Sequence, residues 1–146
     1  MASSQSIPLN NGQQAIIQND FKKVFLWNYR TLNGSLNNAA YVDLNLPEGT
    51  VIGRVSSSNL FKVFTSGASD GSQFPIGVVI DDTVVPFGTT KNITIGHDGD
   101  VNANALIFQG GDTLNTVVSG RTVRDHLKMY GVNVVDATEL TKLDNQ

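Results

Sequence analysis

Chemistry in this chain would have to come from two histidines, His97 and His126, and from a few carboxylates, above all the adjacent Asp81 and Asp82. His97 lies in Gly96-His97-Asp98-Gly99-Asp100, where an imidazole and two carboxylates could face one cation. The same run reads as a polar turn between strands, because Asp and Gly adopt backbone geometry that other residues resist. No H-x-x-x-H, H-E-x-x-H or EF-hand loop accompanies it, so the turn is the preferred reading. Asp81-Asp82 could form an acid pair with Asp98 or Asp100, but neighbouring carboxylates at a strand end commonly stay solvated and discourage edge pairing. His126, three residues after Val123 on a predicted helix, is placed at the border of the core or the surface rather than as a base. Gly110-Gly111 lacks the flanking pattern of a phosphate loop. Asn33-Gly34-Ser35 and Asn92-Ile93-Thr94 match the glycosylation triplet without a secretion signal beside them. With no cysteine, thiolate metal sites and disulfides are excluded. The expectation is a protein with no catalytic residues, no metal and no cofactor.

Composition narrows the partners. The chain has 146 residues, enough for one domain with tails, with 40% hydrophobic and 16% charged residues. A net charge of −3 with only 10 Lys and Arg argues against a nucleic-acid groove, which needs clustered positive charge. No stretch approaches the roughly 18 apolar residues of a membrane span. Met1-Ala2-Ser3-Ser4-Gln5-Ser6 is not a basic region leading into an apolar run, so a secretory signal is not expected. The expectation is a soluble protein that stays in the cell making it unless it leaves within an assembly.

The elements that must position any site fall into two textures. Up to about Asn45 the chain is rich in Asn, Gln and Ser, with apolar islands at Ile7-Pro8-Leu9, Ala15-Ile16-Ile17 and Val24-Phe25-Leu26-Trp27. Residues 1–20 are read as an extended arm, because Ser and Asn compete with helical hydrogen bonds and Pro8 and Gly12 punctuate the segment. Lys23–Arg30 is expected as a strand, with Trp27 and Tyr29 on one face. From Leu46-Pro47-Glu48-Gly49-Thr50, a turn, the pattern becomes short β runs between turn clusters. These runs are Thr50–Val55, Leu60–Phe64, Ile76–Ile80, Asn92–Gly96 and Asn104–Phe108. The unbroken apolar run Ile76–Ile80 fits a strand buried on both faces. One helix is expected, capped by Thr122, with Val123, Leu127 and Tyr130 on one face and Gly131 just past its end. Val132–Val135 reads as a last strand and 138–146 as a polar tail. The fold class is therefore mainly β, barrel- or sandwich-like, with one short helix near the C-terminus and an extended N-terminal arm.

An arm of this kind could add as a strand to a partner's sheet edge. Ordering about 15 residues costs roughly 1–2 kcal/mol each in backbone entropy. Burying Ile7, Leu9, Ile16, Ile17 and their neighbours returns roughly 1.5–3 kcal/mol per side chain. One arm alone is marginal, and several linked arms are not. Composition equally admits an unstructured terminus. Exposed aromatics such as Trp27 and Tyr29 would instead suit a carbohydrate-binding module. Asp81 after the Ile76–Ile80 strand would suit a dUTPase-like enzyme, whose companion motifs are missing.

Across about residues 46–135 the order of segments resembles the lambda-type head decoration, or cement, proteins of tailed bacteriophages. The resemblance rests on Leu46–Gly53, Leu60–Phe64, Gly67-Ala68-Ser69-Asp70-Gly71-Ser72-Gln73 and Pro75–Asp82. It continues through Thr94–Val101, Ala103–Leu106 and the helix Thr122–Tyr130 with Gly131-Val132. It implies a β-clip-like fold and a homotrimer on the outer capsid surface, at three-fold and quasi-three-fold positions among major capsid protein subunits. It also implies a virion protein that assembles in the host cytoplasm, with no direct nucleic-acid or membrane partner. The arm would then be the capsid-binding element, through Ser6, Ile7, Pro8, Leu9, Gln14, Ala15, Ile16 and Ile17. The domain expected between arm and tail spans 21–137.

Overall fold

The computed structural model describes residues 24–26 and 28–136. Eleven strands follow in order among these residues: β1 Arg30–Asn37, β2 Leu44–Leu46, β3 Val51–Arg54, β4 Phe61–Val63, β5 Pro75–Val79, β6 Thr83–Val85, β7 Thr90–His97, β8 Gly99–Asn102, β9 Val117–Val118, β10 Arg121–Thr122 and β11 Val132–Val135. The helix α1, Val123–Met129, precedes β11. Strands β1, β4, β3, β5 and β7 close into a barrel in that order. Three two-stranded ribbons, β10–β9, β11–β8 and β2–β6, accompany it.

Two apolar clusters explain the closure. Leu36, Leu46, Ile52, Phe61, Val63, Ile76, Val79, Val85, Ile93 and Ile95 form one, filled from the barrel strands and the β2–β6 ribbon. Val51, Phe64 and Val78 belong to the other, with Val24, Val101, Val118, Val123, Leu127 and Val132. Successive residues of β3 and β5 thus serve opposite faces, as the period of 2 requires. All five residues of β5 are buried, so this strand is sandwiched between the clusters as its unbroken apolar run predicts. Its register against β3 shifts: Ile52 faces Gly77 but Gly53 faces Pro75, leaving Ile76 as an extra residue. Such a bulge bends a strand, and it lets Ile76 join Val79 in the barrel cluster although the two differ in parity.

The helix forms as its sequence signals. Thr122 Oγ1 accepts the Asp125 amide at 3.2 Å, and Asp125 lies in the first turn, where a negative charge meets the helix dipole favourably. Gly131 takes a φ of +77°, and its amide bonds to the Lys128 carbonyl at 2.9 Å, closing the C-terminus. Val123 and Leu127 are fully buried, whereas Tyr130 is 43% exposed. The helix ends at Met129, so the third position of the expected apolar stripe falls on the cap and turns outward.

Two expected strands are corrected. Of Lys23–Arg30, Lys23 and Trp27 lie outside the described residues, and Arg30 is the start of β1 rather than the end of a strand. Phe25 makes one isolated bridge to Val101, and Asn28 and Tyr29 cross over Gly99 without ladder pairing. Of Asn104–Phe108, Ala103–Ala105 is a 3-10 turn capped by the Asn102 side chain, which accepts the Asn104 amide at 3.0 Å. Only Ile107 bridges, to Thr50. The chain beyond Asn102 must leave the β8 line to reach the barrel wall, and the tight turn does this.

Candidate functional site

The groups whose chemistry the sequence raised do not converge on a reaction centre. His97 ends β7, Asp98 turns with a φ of 56°, and Gly99 begins β8, so this run is the turn between two strands. Asp98 pairs with Arg30 at 3.2 Å, and Asp100 accepts from Asn133 at 3.1 Å. Each carboxylate therefore ties this turn to a neighbouring strand. Asp81 and Asp82 are exposed, and Asp82 accepts the Glu48 amide at 2.8 Å, fastening the turn before Thr50. His126 is buried with Nε2 2.7 Å from the Val118 carbonyl and its ring edge-on to Phe74. A carbonyl only accepts, so that nitrogen carries the proton and binds α1 to β9. Among the described residues no three His, Cys, Asp or Glu side chains stand close enough to hold a metal ion. A cleft of about 270 Å³ is lined by Arg54, Ser56, Asn59, Gly71, Phe74, Ile76 and Tyr130, with no histidine or carboxylate among its described residues.

What the molecule displays instead is apolar surface on a stiff frame. Tyr41 is 95% exposed, Val42 69%, Phe87 60% and Val84 44%. All four sit on the β2–β6 ribbon or the loops that flank it. The buried Asn38 holds these loops together: its Nδ2 donates to the Val42 and Val85 carbonyls, both at 2.9 Å, and its Oδ1 accepts the Ala40 amide at 3.1 Å. Asp43 accepts the Phe87 amide at 3.0 Å, and Lys91 donates to the Val84 carbonyl at 3.1 Å. A backbone ordered in advance by these bonds need not be ordered again on binding, and the apolar side chains it carries outward form a patch of the kind that contacts other proteins. The sequence reading did not single out Tyr41, Val42, Val84 or Phe87. Their signal was apolar residues beside turn formers, Asn38-Ala39-Ala40 and Pro86-Gly88, where solvent-facing residues are normally polar.

The polar loop Gly67–Gln73 is built with similar closure. Asp70 accepts from Lys62 Nζ at 2.8 Å and from the Ser72 hydroxyl and amide at 2.6 and 3.0 Å. Lys62 first, then Ser72, hold the Asp70 carboxyl well below the ordinary carboxylate range.

The described residues begin at Val24. The Asn102 amide donates to the Val24 carbonyl at 2.7 Å, and the Leu26 amide to the Asp100 carbonyl at 2.9 Å, so residues 24–26 run along β8 opposite β11. Val24 is buried in the second cluster, and Phe25 stacks on Tyr29 with ring centroids 4.3 Å apart. Tyr29 thereby has one ring face covered, and Trp27 lies outside the described residues. The expected arm residues Ser6, Ile7, Pro8, Leu9, Gln14, Ala15, Ile16 and Ile17 also lie outside them, as does the tail 138–146.

Comparison with known families then supplies a context for these surfaces. The family model of the bacteriophage lambda head decoration protein D matches residues 30–138. The match begins at β1, so the segment 30–45, outside the resemblance read from the sequence, is part of the family's pattern. No curated protein matches the chain.

Proposed function

The chain belongs to the family of the bacteriophage lambda head decoration protein D and is a component of the phage capsid, and from that premise we propose that it cements the expanded head from outside. In this reading it forms a trimer at three-fold and quasi-three-fold positions, where subunits of the major capsid protein meet. The single observation that carries the reading is the family match from β1 past β11, which covers the whole barrel and helix.

The physical mechanism follows from differential affinity. Packed genome presses outward, and the seams between capsomers are the weak points. A clamp that touches several subunits binds well only when their edges lie at the separation found in the expanded lattice. It therefore stabilises that lattice over the immature one in proportion to the difference in its affinity for the two. A closed three-fold arrangement avoids open-ended polymerisation and brings three arms to one site, so that later contacts form intramolecularly. The arm 1–20, through residues 6–9 and 14–17, grips the shell, and the domain 21–137 with its exposed ribbon residues supplies the rigid contact. Assembly takes place in the host cytoplasm, with the capsid protein and other copies of the chain as partners.

The test is sedimentation of the purified chain with heads that lack it. Co-sedimentation with expanded heads and not with immature ones is the expected result. Failure to bind any expanded shell would remove the cement reading.

A further inference from the structure

Strand β1 is unusual in being exposed along its first four residues, Arg30, Thr31, Leu32 and Asn33. It pairs with β7 over its full length, from Arg30 opposite His97 to Asn37 opposite Thr90. Its other side meets β4 at one position, Leu36 against Phe61. Among the described residues the barrel is thus closed at the end of β1 and open along its beginning.

The direction of the open groups follows from the ladder. The Asn38 amide bonds to the Thr89 carbonyl at 2.8 Å, one step beyond the Asn37–Thr90 pair. In an antiparallel ladder, hydrogen-bonded positions alternate, so Asn38 sets Leu36, Gly34 and Leu32 as the residues bonding β7. Thr31 and Asn33 therefore aim their amides and carbonyls away from β7. Among the described residues no strand lies beside them. The side chains agree. Leu32 stands opposite the fully buried Ile95, on the barrel face, yet is 39% exposed. An inward leucine this open lacks the neighbouring strand that would cover it.

We infer that the outer edge of β1 at Thr31 and Asn33 is a docking edge for an extended segment of the shell protein; this rests on the cement reading. Donors and acceptors repeating every second residue are matched by extended main chain, with one side chain of the incoming strand covering Leu32. The shell is the occupant for two reasons. The edge is continuous with the root of the arm, since Tyr29, directly before β1, stacks on Phe25. A second copy offering its own β1 would pair about a two-fold axis, which a closed ring of three cannot contain. The flanking charge at this edge, Arg30, is already engaged by Asp98, so a neutral segment meets no unpaired ion there.

Amide hydrogen exchange of the full chain, free and bound to expanded heads lacking it, tests the edge directly. Slowing of exchange at Thr31 and Asn33 by at least tenfold on binding is expected, and unchanged exchange on bound protein overturns the proposal. Thr31→Pro removes an outward donor without touching the β7 ladder and should weaken head binding at least tenfold. Leu32→Lys, which places a charge at the edge, should do the same and decides the matter if the proline variant fails to fold. Folded variants that bind heads like wild type, or that change self-association while sparing head binding, overturn the proposal. Absence of head binding by the wild type itself would instead sink the cement reading.

Discussion

Asn38 shows how one side chain can hold a binding surface in shape. Its amide group makes three hydrogen bonds, and the Val85 carbonyl it satisfies is at a buried residue. Asn38→Ala removes all three of these bonds, two of which tie the Val42 and Val85 carbonyls together, at a cost of about 1–3 kcal/mol. Calorimetry should show the lower Tm, and head binding should fall because Tyr41, Val42 and Phe87 lose their common frame. Asp70 gives a prediction with a sign. Its carboxyl is held below the ordinary range by Lys62 and then Ser72, so it is more acidic folded than unfolded. Stability from such a group is fully present above the unfolded pKa, about 3.9, and is lost as pH falls through the lower folded one. In Asp70→Asn the amide NH₂ would face the Lys62 ammonium, leaving donor against donor. The Tm gap between wild type and variant should therefore stay constant from about pH 7 to 5 and close only in stronger acid, below about pH 4. A gap that closes between pH 7 and 5 would assign the effect to another group. Because Lys62 is largely exposed, part of the gap should also shrink in high salt.

At the scale of elements, β5 is the strand on which both clusters depend. Ile76 is 4% exposed at the bulge that turns it into the barrel. Ile76→Asp would bury a carboxylate without a partner, and the expected result is loss of the cooperative melt. A normal melting curve would show that the barrel cluster can open at that point. This strand was legible because its apolar run is unbroken, β3, β4 and β7 as short β-rich runs between turn clusters, and α1 and β11 from the Thr122 cap and the glycine that ends the helix. Strand β1 was not, for a physical reason. Its barrel-facing positions are Leu32, Gly34 and Leu36, and the middle one has no side chain because the Phe61 ring fills its place. A Cβ on Gly34 would lie 2.5 Å from that ring. The apolar alternation is completed by a residue from β4, beyond the reach of any local reading. The misplaced strand at Lys23–Arg30 has the same root: Val24 and Phe25 are apolar because they pack on β8 and Gly96, not because they alternate within a strand. The exposed ribbon residues were missed because nothing local distinguishes an apolar loop residue that will be buried from one held outward by Asn38.

At the scale of the whole molecule, the cement reading divides the work between a preformed body and the arm that precedes Val24. The first charged side chain of the sequence is Asp20, so the arm offers main chain and a few apolar side chains to its partner and almost no ion pairs. Ordering it costs backbone entropy at every residue, and this offsets what its few apolar side chains return on burial. A single arm thus grips little by itself, and its contribution grows when the body is docked and, in the proposed trimer, three arms act together. Deleting residues 1–20 should leave the domain intact, because the contacts of Val24 and Phe25 with β8 remain. The melting temperature is expected to stay within about a degree, while affinity for expanded heads falls at least tenfold, or about 1.4 kcal/mol. The loss should depend little on salt, since few charges are involved. Co-sedimentation at two ionic strengths, with calorimetry of the truncated chain alone, measures all three. Equal affinity with and without the arm would place the whole of the grip on the barrel and its ribbon; a truncated chain that no longer melts cooperatively would make the segment part of the fold.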